Sequence, residues 1–185
     1  ISLSPQAYVE ITPLKGLRFK SVFGGYLRNN KLGQYTGNYS YQGLESATVQ
    51  AIAQNTMSYN YKWQNILTYD TPIAEAPHLT ATLVSEWTKN RTESSSATGN
   101  KFDSDFYSYY NLAASTSTPQ VASSYVGTQM MSFVGRLNYS YKGKYLATLS
   151  ARYDGASVLA DGHKWALFPA GALAWRVSDE PWMQG

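Results

Sequence analysis

Charged side chains keep to one face of each β-strand that the sequence predicts. Successive side chains of a strand point to opposite faces, so residues two apart share a face. In the fifth predicted strand, one face holds Phe133, Gly135, Leu137, Tyr139 and Tyr141, and the other holds Arg136, Asn138, Ser140 and Lys142. The sixth places Tyr145, Ala147, Leu149, Ala151 and Tyr153 opposite Thr148, Ser150, Arg152 and Asp154. One face of the sheet therefore meets an apolar medium, either lipid or a second sheet.

Runs of period two predict an all-β chain of seven strands. These lie at about 4–12, 17–28, 55–70, 78–89, 127–141, 145–155 and 165–177. Short connections at 13–16, 71–77 and 142–144 alternate with long ones at about 29–54, 90–126 and 156–164. Because transmembrane β-barrels have short periplasmic turns and long extracellular loops, this alternation favours an antiparallel transmembrane β-barrel.

Aromatic content and low charge favour lipid as the apolar medium. Aromatic residues make up 15% of the chain, and charged residues also make up only 15%, below the usual quarter. Aromatic residues near strand ends are typical of the girdles at the two membrane surfaces; those here are Tyr139, Tyr141, Tyr145, Tyr153, Trp165 and Trp175. Asn65 is the exception to the apolar face, because it shares that face with Leu67 and Tyr69.

The sequence offers no residues for catalysis or for a metal site. It has no cysteine, and His78 and His163 stand apart, so neither a metal ligand set nor a cofactor is predicted. No Ser, His and Asp constellation, phosphate loop or carboxylate pair suggests an enzyme. The net charge of +3 is dispersed, which argues against nucleic acid as a partner. No signal peptide precedes Ile1, so we expect the chain to be part of a longer protein.

A series of motifs runs from Ser132 to Met183. It comprises GRLNYSYKGKYL at 135–146, RYDGAS at 152–157, KWALFP at 164–169 and AWRVSDE at 174–180. Upstream, YVEITPLKGLRFKSVFGGY at 8–26 forms a second hairpin pattern. These segments resemble the barrel of the SusC-like (SusC/RagA) TonB-dependent transporters of the Bacteroidetes. The resemblance is clear at both ends of the chain and loose between about 29 and 130.

The resemblance implies an importer in the bacterial outer membrane. Its barrel would have about 22 strands around a plug, of which this chain supplies about a third. It would contact the TonB complex through segments that this chain does not show, and a SusD-like surface lipoprotein would act as its lid. Oligosaccharides are the ligand class most associated with the family, and oligopeptides are the near alternative.

Two groups of residues are candidates for contacts inside or above the barrel. The long loop contains the segment KFDSDFYSYYN. Its tyrosine rings could stack on sugar rings, and its carboxylates could bind sugar hydroxyls; the candidate ligand residues are Asp103, Asp105, Tyr107, Tyr109 and Tyr110. The same aromatic rings would also suit packing within the loop or against the lid protein. The alternation of the strands predicts that a second set of side chains faces the lumen, namely Arg136, Arg152, Asp154 and Arg176. There they would pair with groups of the plug or of neighbouring barrel strands.

Two alternatives from other classes stay open at this stage. A passive pore or surface adhesion scaffold would use the same barrel without a plug. A soluble carbohydrate-binding β-sandwich would bury the same alternating face against a second sheet.

Overall fold

The computed structural model describes residues 1–41, 49–72 and 77–183. A single eight-stranded sheet contains β1 (Ser2–Leu3), β2 (Gln6–Leu14), β3 (Leu17–Thr36), β4 (Gln50–Pro72), β5 (Pro77–Asn100), β6 (Gln120–Tyr141), β7 (Tyr145–Ala156) and β8 (Trp165–Trp175). The strand order is β1-β3-β4-β5-β6-β7-β8, and β2 also pairs with β3. Within the described residues there is no second sheet, which contradicts the β-sandwich alternative. The sheet is open, with β1 and β2 at one edge and β8 at the other.

The first predicted strand is divided in two. Both β1 and β2 pair antiparallel with β3, through Ser2 opposite Arg28 and Gln6 opposite Gly24. Pro5 lies between them, and its carbonyl oxygen accepts a hydrogen bond from the Gly25 amide at 2.9 Å. Proline has no amide hydrogen to donate to a ladder, so the strand is interrupted there.

Four strands run further than the sequence predicts, so the predicted loops at 29–54 and 90–126 are too long. β3 continues to Thr36 and β4 begins at Gln50, while β5 continues to Asn100 and β6 begins at Gln120. The long connections are therefore 37–49, of which 42–48 lie outside the described residues, and 101–119. The extensions are polar on both faces, as in NRTESSSATGN, so no apolar alternation marks them. The short connection predicted at 71–77 falls largely on 73–76, also outside the described residues.

The chain divides into two compact units. Unit 1 contains 1–4, 26–60 and 90–127, and unit 2 contains 5–25, 61–89 and 128–185. In unit 1, the described buried hydrophobic residues are Val49, Ala51 and Phe102, which form a small core. In unit 2, large apolar side chains lie on the sheet surface, including Leu149 at 64% and Leu173 at 88% exposure. Such a surface suits lipid as its surroundings.

The register of unit 2 confirms the predicted phasing. Leu137 lies opposite Leu149, which lies opposite Gly171, so the apolar face is continuous across β6, β7 and β8. On the other face, Arg136 lies opposite Ser150. Directly opposed residues of neighbouring strands share a face, and the two sets predicted from sequence therefore stay separate across three strands.

Aromatic rings collect at two levels of this apolar face. Trp165 stacks on Tyr153 at 4.7 Å between ring centroids, and Trp175 stacks on Tyr145 at 6.3 Å. Ten residues of strand separate the two tryptophans, a distance of roughly 33 Å along the strand. With a strand tilt of about 40° this becomes about 25 Å, the height of the apolar band of a transmembrane barrel. The two levels match the girdles predicted from the sequence.

Asn65 does lie on the apolar face, but it is hydrogen bonded there. Its Oδ1 accepts a hydrogen bond from Ser21 Oγ at 2.8 Å, and its Nδ2 donates to Ser85 Oγ at 3.4 Å. Trp63 Nε1 in turn donates to Ser21 Oγ at 3.0 Å. Because these partners come from β3, β4 and β5, the amide does not depend on lipid for its hydrogen bonds.

The last strand ends two residues before its predicted end at 177. After Trp175 the chain enters a 3-10 turn at Val177–Asp179. This turn brings Glu180 back to the strand, where its Oε1 accepts hydrogen bonds from Tyr145 Oη at 2.8 Å and Trp175 Nε1 at 3.0 Å. The buried carboxylate thus holds the polar ends of two girdle residues.

Candidate functional site

The loop 101–119 packs on one face of the strands of unit 1. A Cβ atom at Gly33 in β3 would overlap with the ring of Tyr109, and one at Gly99 in β5 would lie 2.9 Å from Phe102 Cζ. Odd-numbered side chains of these strands therefore point toward the loop. Tyr35, Tyr109, Leu112 and Ala114 pack around the buried core of unit 1, so the loop is seated on the sheet.

Asp105 anchors this loop to the end of β3. One carboxylate oxygen, Oδ1, accepts hydrogen bonds from Tyr35 Oη at 2.7 Å, Asn38 Nδ2 at 2.9 Å and the Asn38 amide at 3.2 Å. The hydrogen bonds from Tyr35 and Asn38 lower the pKa of the Asp105 carboxyl. Burial, together with the bond to Asp105, raises the pKa of Tyr35 to about 12. A charged Asp105 and a neutral Tyr35 thus form the stable pair.

Loop anchoring is expected to weaken in acid. Because the folded-state pKa of Asp105 lies below its unfolded value of about 3.9, its contribution is complete above that value and is lost as the pH falls through the folded-state pKa. We expect the protection of 101–116 from hydrogen exchange, relative to an unstructured chain at the same pH, to decrease as the pH falls below about 3.9 toward the folded-state pKa. Asp105→Asn should exchange faster at neutral pH and lose this dependence.

Asp103→Asn is the matched control, since Asp103 has no hydrogen-bond or ion-pair partner among the described residues. It should exchange like the unsubstituted protein at every pH. Equal pH dependence in both variants would contradict the anchoring role of Asp105.

The structure separates the five predicted ligand residues into two groups. Asp105 is hydrogen bonded to Tyr35 and Asn38, outside the loop, and Tyr109 packs on the core of unit 1. Tyr109 Oη also donates to Tyr110 Oη at 2.8 Å. Asp103, Tyr107 and Tyr110 are exposed or half-exposed. Ser108, with φ 51°, breaks the 3-10 helix Asp105–Tyr110 between them. Asp105 is exposed as well, but its carboxylate is occupied by Tyr35 and Asn38, so Asp103, Tyr107 and Tyr110 are the three exposed side chains that do not anchor the loop.

Further exposed aromatic rings lie in the same loop and directly after Asn38. Phe106 is 83% exposed and packs edge-on against Tyr107 at 5.0 Å. Tyr39 and Tyr41, which follow the Asn38 anchor, are exposed as well. We call Tyr39, Tyr41, Phe106, Tyr107 and Tyr110 the aromatic surface. Sequence reasoning selected neither Phe106 nor the tyrosines at 39 and 41. The two tyrosines were missed because the contacts of Asn38 with Phe102 and Asp105, which relate the two segments, are not visible in the sequence.

A second surface of unit 1, the polar ladder, was also missed from the sequence. It consists of the even-numbered residues of β4 and β5 in unit 1: Gln50, Ile52, Gln54, Thr56, Ser58 and Asn60, with Asn90, Thr92, Ser94, Ser96, Thr98 and Asn100. Hydrogen bonds cross between the strands from Gln50 Nε2 to Asn100 Oδ1 at 3.0 Å and between Ser58 Oγ and Thr92 Oγ1 at 3.3 Å. Asn60 also donates to Asn90.

The four predicted lumen-facing charges differ in their partners. Arg152 Nε lies 2.7 Å from Asp154 Oδ2, and its Nη2 donates to the buried Ser132 Oγ at 3.2 Å. Arg176 lies just past β8 and pairs with Asp179 at 3.6 Å. Arg136 has no ion-pair partner within 1–41, 49–72 and 77–183. Arg136 is therefore the one of the four left for a partner outside these ranges.

The described residues contain neither a cluster of metal ligands nor a helix long and apolar enough to span a membrane. None of their His, Asp and Glu side chains form a group of three able to hold a metal ion. The described helices are all too short and polar to span a membrane.

Comparison with known proteins relates the whole chain to one family. No protein-family model matches it. It is 34% identical over 182 residues to a TonB-dependent receptor of Formosa agariphila, covering 96% of this chain and 18% of the relative. It is 38% identical to the TonB-dependent receptor SusC of Bacteroides thetaiotaomicron over 55 residues, which are 30% of this chain and 6% of SusC. The chain thus spans less than a fifth of the length of these relatives.

The fold agrees with this relationship. The solved structure of the RagAB peptide importer in its closed-closed state superimposes with a TM-score of 0.84 at 21% identity, covering 100% of this chain and 21% of the other. At that identity the likeness concerns the fold alone. Together with the sequence relatives, it shows that the chain is a stretch of the β-barrel wall of a SusC-like TonB-dependent receptor, in the outer membrane of the Bacteroidetes.

Proposed function

We propose that the protein containing this chain imports oligosaccharides across the outer membrane with energy from the TonB complex and a SusD-like lipoprotein as its lid. The observation that carries this proposal is the aromatic surface, whose exposed rings lie on the loop 101–119 and directly after Asn38, the residue that Asp105 binds. Exposed aromatic rings suit sugar faces and protein interfaces alike.

In this proposal the two groups of loop residues have different tasks. Asp103, Tyr107 and Tyr110 contact the ligand or the lid, while Asp105 and Tyr109 position them. Arg136 pairs with an acidic group elsewhere in the longer protein, such as the plug. Arg152 and Asp154 stabilise the wall through their own ion pair.

Peptide import is the second candidate. Its support is the RagAB structure, which is described as a peptide importer and shares this fold.

Uptake by cells separates these functions. We expect a strain that lacks the gene to lose uptake of a fluorescently labelled mixture of neutral oligosaccharides, and a plasmid copy to restore it. Dissipating the proton-motive force should abolish uptake, because TonB coupling depends on it. Loss of labelled peptide uptake alone would replace the sugar proposal with peptide import, and uptake that survives dissipation would indicate a passive pore.

The lid contact has its own test. A photo-crosslinking amino acid at Phe106 is expected to capture a surface lipoprotein in intact cells. The same amino acid at Lys142, in the short turn between β6 and β7, should capture none. Equal capture at both sites, or capture at neither, would contradict the assignment of the aromatic surface to the lid.

A further inference from the structure

The polar ladder excludes charge, while the opposite face of the same strands carries it. At the even positions of 50–60 and 90–100, all within the described part of the chain, no side chain is charged, and every one except Ile52 bears a hydroxyl or carboxamide. On the odd face, Arg91 forms an ion pair with Glu93 and lies over the ring of Tyr125 at 5.0 Å. Within 50–60 and 90–100, charged side chains thus lie on the odd face alone.

Solubility in water does not account for this difference. Charged side chains are at least as well hydrated as hydroxyls and carboxamides, and natural surfaces mix both kinds. The hairpin tolerates charge on its odd face at Arg91 and Glu93. Exposure to solvent therefore does not explain why the even face carries only neutral hydrogen-bond donors and acceptors.

The ladder keeps one register along the hairpin. Gln50 bonds to Asn100 and Asn60 to Asn90, and further along the same strands Asp70 accepts a hydrogen bond from Thr80. Even numbers on β4 also include Lys62, whose Nζ lies 2.7 Å from Glu86. The ladder is thus in step with the charged, non-lipid set of side chains. It extends over roughly 33 Å of strand.

We propose that the polar ladder is a track along which a neutral polyhydroxylated ligand, an oligosaccharide, makes successive hydrogen bonds on its way into the barrel. This proposal rests on the proposed function and names the wall residues that serve it. Each hydroxyl offers one donor and two acceptor sites, the same set that a sugar hydroxyl offers. Ser58 and Thr92 bond only to each other among the described residues, so both keep capacity for a ligand.

The absence of charge suits movement along the track. A ligand that passes through a transporter must bind strongly enough to enter and weakly enough to leave. This favours several weak binding sites over one strong site. Hydrogen bonds between neutral groups are about half as strong as those to charged groups. A neutral ladder therefore lets an oligosaccharide exchange one set of partners for the next.

The test compares two pairs of identical substitutions in the full-length transporter. Ser58→Ala with Ser94→Ala removes two ladder hydroxyls. Ser95→Ala with Ser123→Ala removes two hydroxyls from odd positions of β5 and β6. Uptake of the labelled oligosaccharide mixture is measured against its concentration, and transporter in the outer membrane is counted by surface labelling.

We expect the ladder pair to raise KM roughly tenfold, since each lost hydrogen bond weakens binding severalfold, and the control pair to change it less than about twofold. Equal KM values for both pairs, with oligosaccharide uptake intact, would overturn the ladder proposal and leave the proposed function standing. Uptake of peptide alone by the unsubstituted protein would instead overturn the proposed function, and the ligand assigned to the ladder with it.

Discussion

Leu149→Arg is expected to keep most of the protein from assembling in the outer membrane. Leu149 lies in β7 on the apolar face, opposite Leu137 and Gly171, between the two levels of aromatic rings. An arginine facing lipid near the middle of the bilayer costs about 2–4 kcal/mol. Such a loss is a large part of the usual stability of a folded protein.

Thr148→Arg provides the matched control at the same depth. Thr148 is the neighbouring residue and points to the opposite face, where its Oγ1 donates to Asn138 Oδ1 at 2.9 Å. We expect this variant to reach the membrane at a nearly unchanged level. Both levels are read from heat-dependent migration of the full-length protein in gels. Equal losses in the two variants would show that the two faces are wrongly assigned.

Gly16→Ala is expected to destabilise the barrel more than the same change at Gly143. Gly16 has φ +82° in the turn between β2 and β3, and a Cβ there would overlap with the carbonyl oxygen of Asp70 in β4. The amide of Asp70 also donates to the Gly16 oxygen at 2.8 Å. A methyl group would therefore strain the turn and push it off β4, because neither backbone can yield without breaking this bond.

Gly143 separates conformational strain from overlap. It has φ +67° but nothing within 4 Å of its Cβ position, so Gly143→Ala carries only the left-handed backbone cost of about 1–2 kcal/mol. Urea unfolding in detergent or lipid should show at least twice that loss for Gly16→Ala. A loss no greater than that of Gly143→Ala would show that the contact with Asp70 relaxes freely.

The strands that face lipid could be predicted closely from the sequence. The stretch 145–155 corresponds to β7 at Tyr145–Ala156, and the start of β8 at Trp165 is as predicted. Lipid acts on every second residue, so the alternation of apolar and polar side chains reports the strand directly. The extensions of β3 to β6 were missed because polar side chains occur on both of their faces, and no regular alternation results.

The candidate site was less open to prediction from the sequence. The loop 101–119 was recognised as rich in Tyr and Asp, but the partners of Asp105 lie 67 and 70 residues away at Asn38 and Tyr35. Those distant contacts decide which residues anchor the loop to the strands and which stay exposed. The polar ladder likewise becomes visible only when β4 and β5 are paired, because its neutrality belongs to two strands together.

The sequence by itself determined the class of fold, the lipid-facing surface and the family, since these depend on local alternation, girdle aromatics and short motifs. The tertiary structure alone decided the true lengths of the loops, the anchoring of the loop by Asp105 and the shared face of the ladder. These features arise from contacts between residues far apart in the chain. Polar side chains can form such contacts with many alternative partners, so their composition does not specify which ones they meet.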